Sequence, residues 1–265
     1  MADITSPTNN RVKHIKRLLI DRRFRLREKQ FVAEGSRWID EIQRAGVTPV
    51  FWLATQSWID TNHDLYRRLS ADFEPPLTIE PNILKDLADT STPPGVLAVL
   101  QQPQLTWVKK PHFLLLLDQI RDPGNLGTLM RSALAAGVDG LLLSPGCVDR
   151  FNPKVVRSSM GAVLRLPIRQ VNWEDSKSLP PLLGNCNIYL ADAAGQTPYT
   201  AVDWQQPAAI MIGGEAAGAD EVAKSIVHQT ISIPMIQASE SLNAGVAGSV
   251  ILFEALRQKT DQLTS

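Results

Sequence analysis

The sequence predicts an α/β protein in two parts, and three observations carry that prediction. Strand-like apolar runs alternate with segments of helical length along the chain. The alternation breaks over residues 101–112, "QQPQLTWVKKPH", which hold two prolines and mostly polar side chains. Beyond the break the strands read as near-continuous apolar runs, the pattern of strands buried on both faces of a parallel sheet. A small α/β domain is therefore expected over residues 1–103, and a larger α/β domain built on a parallel sheet over 110–265.

Taken in order, residues 9–29 have helical spacing, with Val12, Ile15, Leu18 and Leu19 on the apolar side. "FVAEG" follows as a short strand, then a helix over 35–45, the strand "VFWLA", the strand "LTIE", a helix starting near Pro81 and the strand "GVLAVL". The second domain reads "FLLLLD" strand, helix 123–136, "GLLL" strand, a helix around 152–160, the strands "IYLAD", "AAIMIGG" and "TISIPM", and a long helix from about 243. The helix over 123–136 is well specified: Asp122 suits the N-cap, Pro123 the first helical position and Gly137 the stop. In sheets of this type ligands bind outside the carboxyl ends of the strands, so the residues just after each strand are the candidates.

Composition narrows the classes. Net charge is zero, so a nucleic-acid partner does not follow from the whole-chain balance. Locally, residues 11–29 carry nine Lys or Arg against Asp21 and Glu28, an excess of seven positive charges. That run could neutralise several phosphates, or be the solvated face of an amphipathic helix. Cys147 and Cys186 are the two cysteines, and the N-terminus shows no secretory pattern, which points to a cytoplasmic setting. Apolar runs such as "FLLLL" are too short to span a membrane. His14, His63, His112 and His228 show no ligand spacing, so no metal is expected.

Three loops after three strands hold the candidate chemistry. In the first, Gly127 and Arg131 lie four apart on one helix face, so Arg131 can lean back over Gly127 toward the positive end of the helix. A cation there calls for an anion; a surface arginine is the plainer alternative. "GNLGTL" lacks the middle glycine of a dinucleotide-binding turn, which excludes that reading. In the second, "MIGGEAAGAD", Gly213 and Gly214 let a flat ligand approach the main chain, and Glu215 can partner Arg131; a tight turn with an exposed carboxylate is the plainer alternative. In the third, "IPMIQASESLNAGVAGSVILFEALRQ", Pro234 ends a strand, and Ser239, Ser241 and Asn243 stand where helix capping is favourable. Gly245 and Gly248 each cost roughly 1 kcal/mol relative to Ala inside a helix, and so imply close packing of a neighbouring helix or of a ligand.

In order, "NLGTLMR", "IGGEAAG" and "IPMIQASESLNAGVAG" resemble the three signature motifs of the SpoU family of RNA ribose 2′-O-methyltransferases. The resemblance runs from about 113 to the C-terminus. More loosely, "REKQFVAEGSRWIDEI" is similar to part of the small RNA-binding domain of ribosomal-protein L30e type that many members carry. The third motif departs from the usual pattern, with Gln237 after Ile236, and with Ala244 and Gly245 in place of larger or hydroxylated residues.

The resemblance implies a trefoil-knot (SPOUT) catalytic domain, S-adenosylmethionine as cofactor and a homodimer with the active site at the subunit interface. It also implies roles: Asn125, Arg131, Glu215, Ser241 and Asn243 as polar catalytic and RNA-positioning residues, and Gly213, Ile233 and Leu242 as cofactor contacts. A basic N-terminal domain before the catalytic one is similar to members acting on 23S ribosomal RNA more than to the tRNA enzymes. A tRNA 2′-O-methyltransferase, a base methyltransferase on the same scaffold and a non-catalytic RNA- or ribosome-binding protein are the alternatives.

Overall fold

A computed structural model describes residues 2–88, 93–215, 218–236 and 242–261. It divides into two compact units, one running to Gln104 and taking in Asp149–Leu164, the other made of Leu105–Val148 and the chain from Arg165 onward. The expected division at 1–103 and 110–265 therefore differs in one segment, because residues 149–164 pack with the first unit.

The first unit begins with two helices, α1 (Asn10–Ile20) and α2 (Arg22–Glu28), where the sequence suggested one over 9–29. Asp21 is the break: its backbone is extended and its side chain accepts from Phe24 N, capping α2. β1 (Gln30–Glu34), α3 (Ser36–Arg44) and β2 (Phe51–Ala54) follow as expected, then two helices the periodicity did not reveal, α4 (Gln56–Thr61) and α5 (His63–Asp72). β3 (Leu77–Thr78), α6 (Pro81–Lys85) and β4 (Val96–Gln101) complete the run. The sheet order is β1-β4-β2-β3, with β4 antiparallel to both neighbours and β3 parallel to β2. Val12, Ile15 and Leu18 pack from α1 onto Val32, Leu53, Leu97 and Val99 of the sheet.

β5 (Phe113–Leu117), α7 (Pro123–Ala135) and β6 (Gly140–Leu143) open the second unit. The chain then returns to the first through α8 (Pro153–Ser159) and α9 (Ala162–Arg165). There Asp149 receives the buried Arg25 guanidinium at 2.8 Å, while Arg25 also donates to Leu18 O, so the charge taken from water has both an ion partner and a carbonyl. Phe151 stacks on Phe31, ring centroids 4.9 Å apart.

β7 (Ile168–Gln170), α10 (Leu179–Leu183), β8 (Asn187–Ala191), β9 (Thr197–Pro198), β10 (Ala208–Ile212), α11 (Glu221–Ser225), β11 (Gln229–Ser232) and α12 (Ala244–Asp261) finish the second unit. Among the described residues its sheet has seven strands, all parallel, in the order β7-β6-β5-β10-β8-β11-β9. β5, β6 and β10 are buried at every residue, the reason they read as unbroken apolar runs. One sheet face, with Leu114, Leu116, Leu142, Ile188 and Met211, packs on Trp173, Leu179 and Ala223. Ile212, on β10, meets α12, which in turn packs on α7.

Candidate active site

The site is assembled at the carboxyl ends of β5, β8, β10 and β11. After β5, Asp122 accepts from Asn125 N at 2.8 Å, and Pro123 occupies the first turn of α7, as the capping pattern predicts. The cap turns the Asn125 side chain inward: it is buried, and its Nδ2 donates to Glu215 Oε1 at 2.7 Å. A charge-assisted bond thus ties the start of α7 to the loop after β10.

That loop needs its glycines. A Cβ on Gly213 would lie 2.1 Å from Ala219 N, and one on Gly214 2.8 Å from Gln119 O. Gly214 and Gly218 exchange two backbone hydrogen bonds, of 3.0 and 2.9 Å, and Gly218 has φ +69°, a conformation glycine adopts without strain. The result is a tight main-chain cradle with Glu215 exposed at its tip.

After β11 the described chain runs to Ile236 and resumes at Leu242. Asn243 Oδ1 accepts from Val246 N at 3.2 Å, so Asn243 caps α12. Gly245 and Gly248 serve helix packing: a Cβ on Gly248 would be 2.3 Å from Leu129 Cδ2 of α7, and one on Gly245 3.2 Å from Asn125 Oδ1. Ser132 and Ser249 hydroxyls bond across the same contact at 2.8 Å.

The loops surround an open pocket of about 480 Å³. Gly213, Glu215, Ile233, Leu242 and Asn243 all line it. So do Ala191 at the end of β8 and Asp192 and Ala193 just after it, which sequence reasoning passed over, although their position at a strand's carboxyl end was the signal that could have found them. Ser241, with Ser239, lies outside the described residues. The expected pairing of Arg131 with Glu215 is not formed: Arg131 is exposed and pairs with no described residue, and it is Asn125 that donates to Glu215 Oε1. Six residues along an α-helix place Arg131 roughly 120° around α7 from Asn125, so the two side chains leave on different faces. Among the described residues no group of three or more His, Cys, Asp or Glu could hold a metal ion.

Residues 112–253 match the SpoU rRNA Methylase family, and residues 9–98 the MRM3-like substrate binding domain. The chain is 34% identical to an uncharacterized tRNA/rRNA methyltransferase of Synechocystis, over 98% of this chain and 95% of that protein. It is 27% identical to the 23S rRNA (guanosine(2553)-2'-O)-methyltransferase RlmP of Bacillus subtilis, over 96% and 98%. The crystal structure of the SpoU methyltransferase AviRb from Streptomyces viridochromogenes in complex with AdoMet superposes with a TM-score of 0.82 at 29% identity, covering 95% of this chain and 98% of that one. With its motif loops gathered at one end of a parallel sheet and its sequence matching over nearly full length, the chain belongs to the SpoU rRNA methylase family.

Proposed function

We propose that the protein transfers the methyl group of S-adenosylmethionine to a ribose 2′-hydroxyl of 23S ribosomal RNA. The observation that carries this reading is the pocket formed by the glycine cradle after β10, the end of β11 and the start of α12. Its volume, about 480 Å³, falls within the roughly 300–1,000 Å³ of small-molecule sites. Gly213, Gly214 and Gly218 line this pocket, which suits a flat adenosyl group held by backbone atoms. Relatives at 29% and 27% identity are named as 23S rRNA 2'-O-methyltransferases, which favours rRNA over tRNA and over a non-catalytic role.

When bound, S-adenosylmethionine supplies a sulfonium methyl that an in-line 2′-oxygen accepts, with S-adenosylhomocysteine as product. The rest falls to the chain. Gly213, Ile233 and Leu242 hold the cofactor, while Asn125 and Glu215 lock the cradle to α7. Asn243 fixes the start of α12 beside them. Arg131 offers a planar fork of N–H donors. Its role is to orient the ribose and adjacent phosphate and to stabilise developing oxyanion charge, with a substrate phosphate accepting the proton. Ser241 contributes the remaining polar group of the third motif.

RNA is gripped by α1 and α2, where Arg11, Lys13, Arg17, Arg22, Arg23 and Arg27 are exposed. The working form is a homodimer. Val246 and Phe253, nearly half exposed on α12 with Val250 between them, form the apolar stripe that a second copy would cover. A trefoil knot completes the family fold. The enzyme acts in the cytoplasm, where both buried thiols remain free. No helix among the described residues is long and apolar enough to cross a membrane.

Mapping ribose methylation in RNA from cells with and without the protein tests the proposal. Loss of one 23S rRNA mark is the expected result; unchanged rRNA with a lost tRNA mark overturns it.

A further inference from the structure

Behind the glycine cradle lies a carboxylate that the reaction does not call for. Asp118, at the end of β5, is fully buried. One of its oxygens accepts from Trp173 Nε1 at 2.9 Å, and the other from Asp220 N at 3.0 Å. Asp220 closes the cradle: its Oδ1 accepts from Ala223 N at 2.7 Å to cap α11, and its Oδ2 accepts from Gln119 Nε2 at 3.0 Å. Gln119 sits at φ +52°, unusual for a side chain of its kind, and its carbonyl packs against Gly214. Ser144 Oγ accepts from Gln119 N at 2.9 Å, so the turn is anchored to the end of β6 as well.

A buried carboxylate held by neutral N–H donors is an expensive way to fill a core, since apolar residues of similar volume generally serve stability as well or better. Its geometry is what apolar residues cannot copy. The cradle, with glycines at 213, 214 and 218, has little side chain with which to fix its own shape. One side of it is closed by the Gly214–Gly218 pair and by Asn125 on Glu215. The other side has Asp118, braced by an indole that belongs to the chain after β7.

We infer that Asp118, braced by Trp173, is a positioning residue that sets the cofactor cradle through Asp220. The inference rests on the cofactor reading of the pocket. Both carboxylate oxygens accept N–H groups, so in Asp118→Asn the amide nitrogen must face a donor whichever way it turns. The cradle end then shifts, and the KM for S-adenosylmethionine rises about tenfold, the worth of one such bond. The KM for RNA stays near the wild-type value, a split that a general loss of folded protein would not give. Trp173→Phe removes the indole donor, and in the Asp118→Asn background it frees the amide to present oxygen to Asp220 N. The double variant therefore recovers much of the lost cofactor affinity.

Calorimetry with S-adenosylmethionine and S-adenosylhomocysteine on the full chain, alongside steady-state kinetics, reads these effects. A folded Asp118→Asn protein with wild-type cofactor affinity overturns the inference, as does a double variant no better than the single. If Asp118→Asn does not fold, Trp173→Phe alone decides: a rise of a few-fold in cofactor KM at unchanged RNA KM supports the brace, and no change overturns it. Wild-type protein that binds neither compound would instead overturn the proposed function itself.

Discussion

Asn125 donates its amide N–H to the Glu215 carboxylate at 2.7 Å, joining the first turn of α7 to a loop ninety residues further along the sequence. Loss of a bond to a charged group costs about 1.5–3 kcal/mol. Asn125→Ala is accordingly expected to lower kcat/KM by roughly 10- to 100-fold while leaving the capped helix α7 intact, because the Asp122 cap uses Asn125's backbone and not its side chain. Kinetics paired with circular dichroism checks both halves.

Arg131 is exposed and pairs with no described residue, so it is available to an incoming phosphate or ribose. A planar fork and a point charge differ most when two oxygens must be held at once. Arg131→Lys is expected to lower kcat on rRNA by about 100-fold at unchanged cofactor affinity. Near-normal turnover in that variant would rule out the fork.

The basic helices make a separate, salt-readable claim. Each phosphate contact on RNA contributes roughly 0.7–0.9 to the slope of log affinity against log salt. Replacing exposed Arg22 and Arg23 with Ala should flatten that slope by about one to two and weaken binding without regard to sequence. Filter binding across a salt series measures it. An unchanged slope would reassign α2 to an ordinary solvated face.

Lys259 provides a pH handle away from the pocket. Its ammonium lies 3.6 Å from the centre of the Phe113 ring, and burial pushes its pKa down to about 8, against the opposing pull of Asp139 and Cys186. The unfolded lysine titrates near its ordinary value of 10.5, so between these values the unfolded chain binds more protons and stability rises with pH. The handicap is present in full below about pH 8 and fades as pH climbs toward 10.5. Lys259→Met should be more stable at pH 7, on the order of 1 kcal/mol once solvent screening of a partly exposed group is allowed for, and should lose that rise. Urea unfolding of both proteins at pH 7 and 9.5 tests the sign.

What the sequence made legible follows from how local the cause is. The span of α7 could be read because Asp122, Pro123 and Gly137 act on the helix they adjoin. The central strands were visible because burial on both faces leaves an unbroken apolar run. β7 and β9, with three and two residues, are too short to show a period. The Asp21 break was hidden inside a charge run that reads as one helix. In the site, glycine spacing correctly suggested close packing at Gly245 and Gly248. Pairing Arg131 with Glu215 by charge alone failed, because charge says nothing about which helix face a side chain leaves from, and the neutral Asn125 took the partner. The Asp118–Trp173 brace joins residues 55 apart through an indole N–H, and nothing in sequence spacing announces it.

The return of residues 149–164 to the first unit has a consequence for synthesis. A ribosome delivers β4 well before it delivers Asp149, so the emerging N-terminal unit holds the Arg25 guanidinium without its counter-ion and Phe31 without the ring that covers it. The full set of contacts of that unit is available only once translation has passed Leu164, by which time β5, α7 and β6 of its neighbour are already made. Co-translational maturation of the first unit is thus coupled to that of the second, and a fragment ending at Gln104 would lack the Asp149 carboxylate that pairs with Arg25.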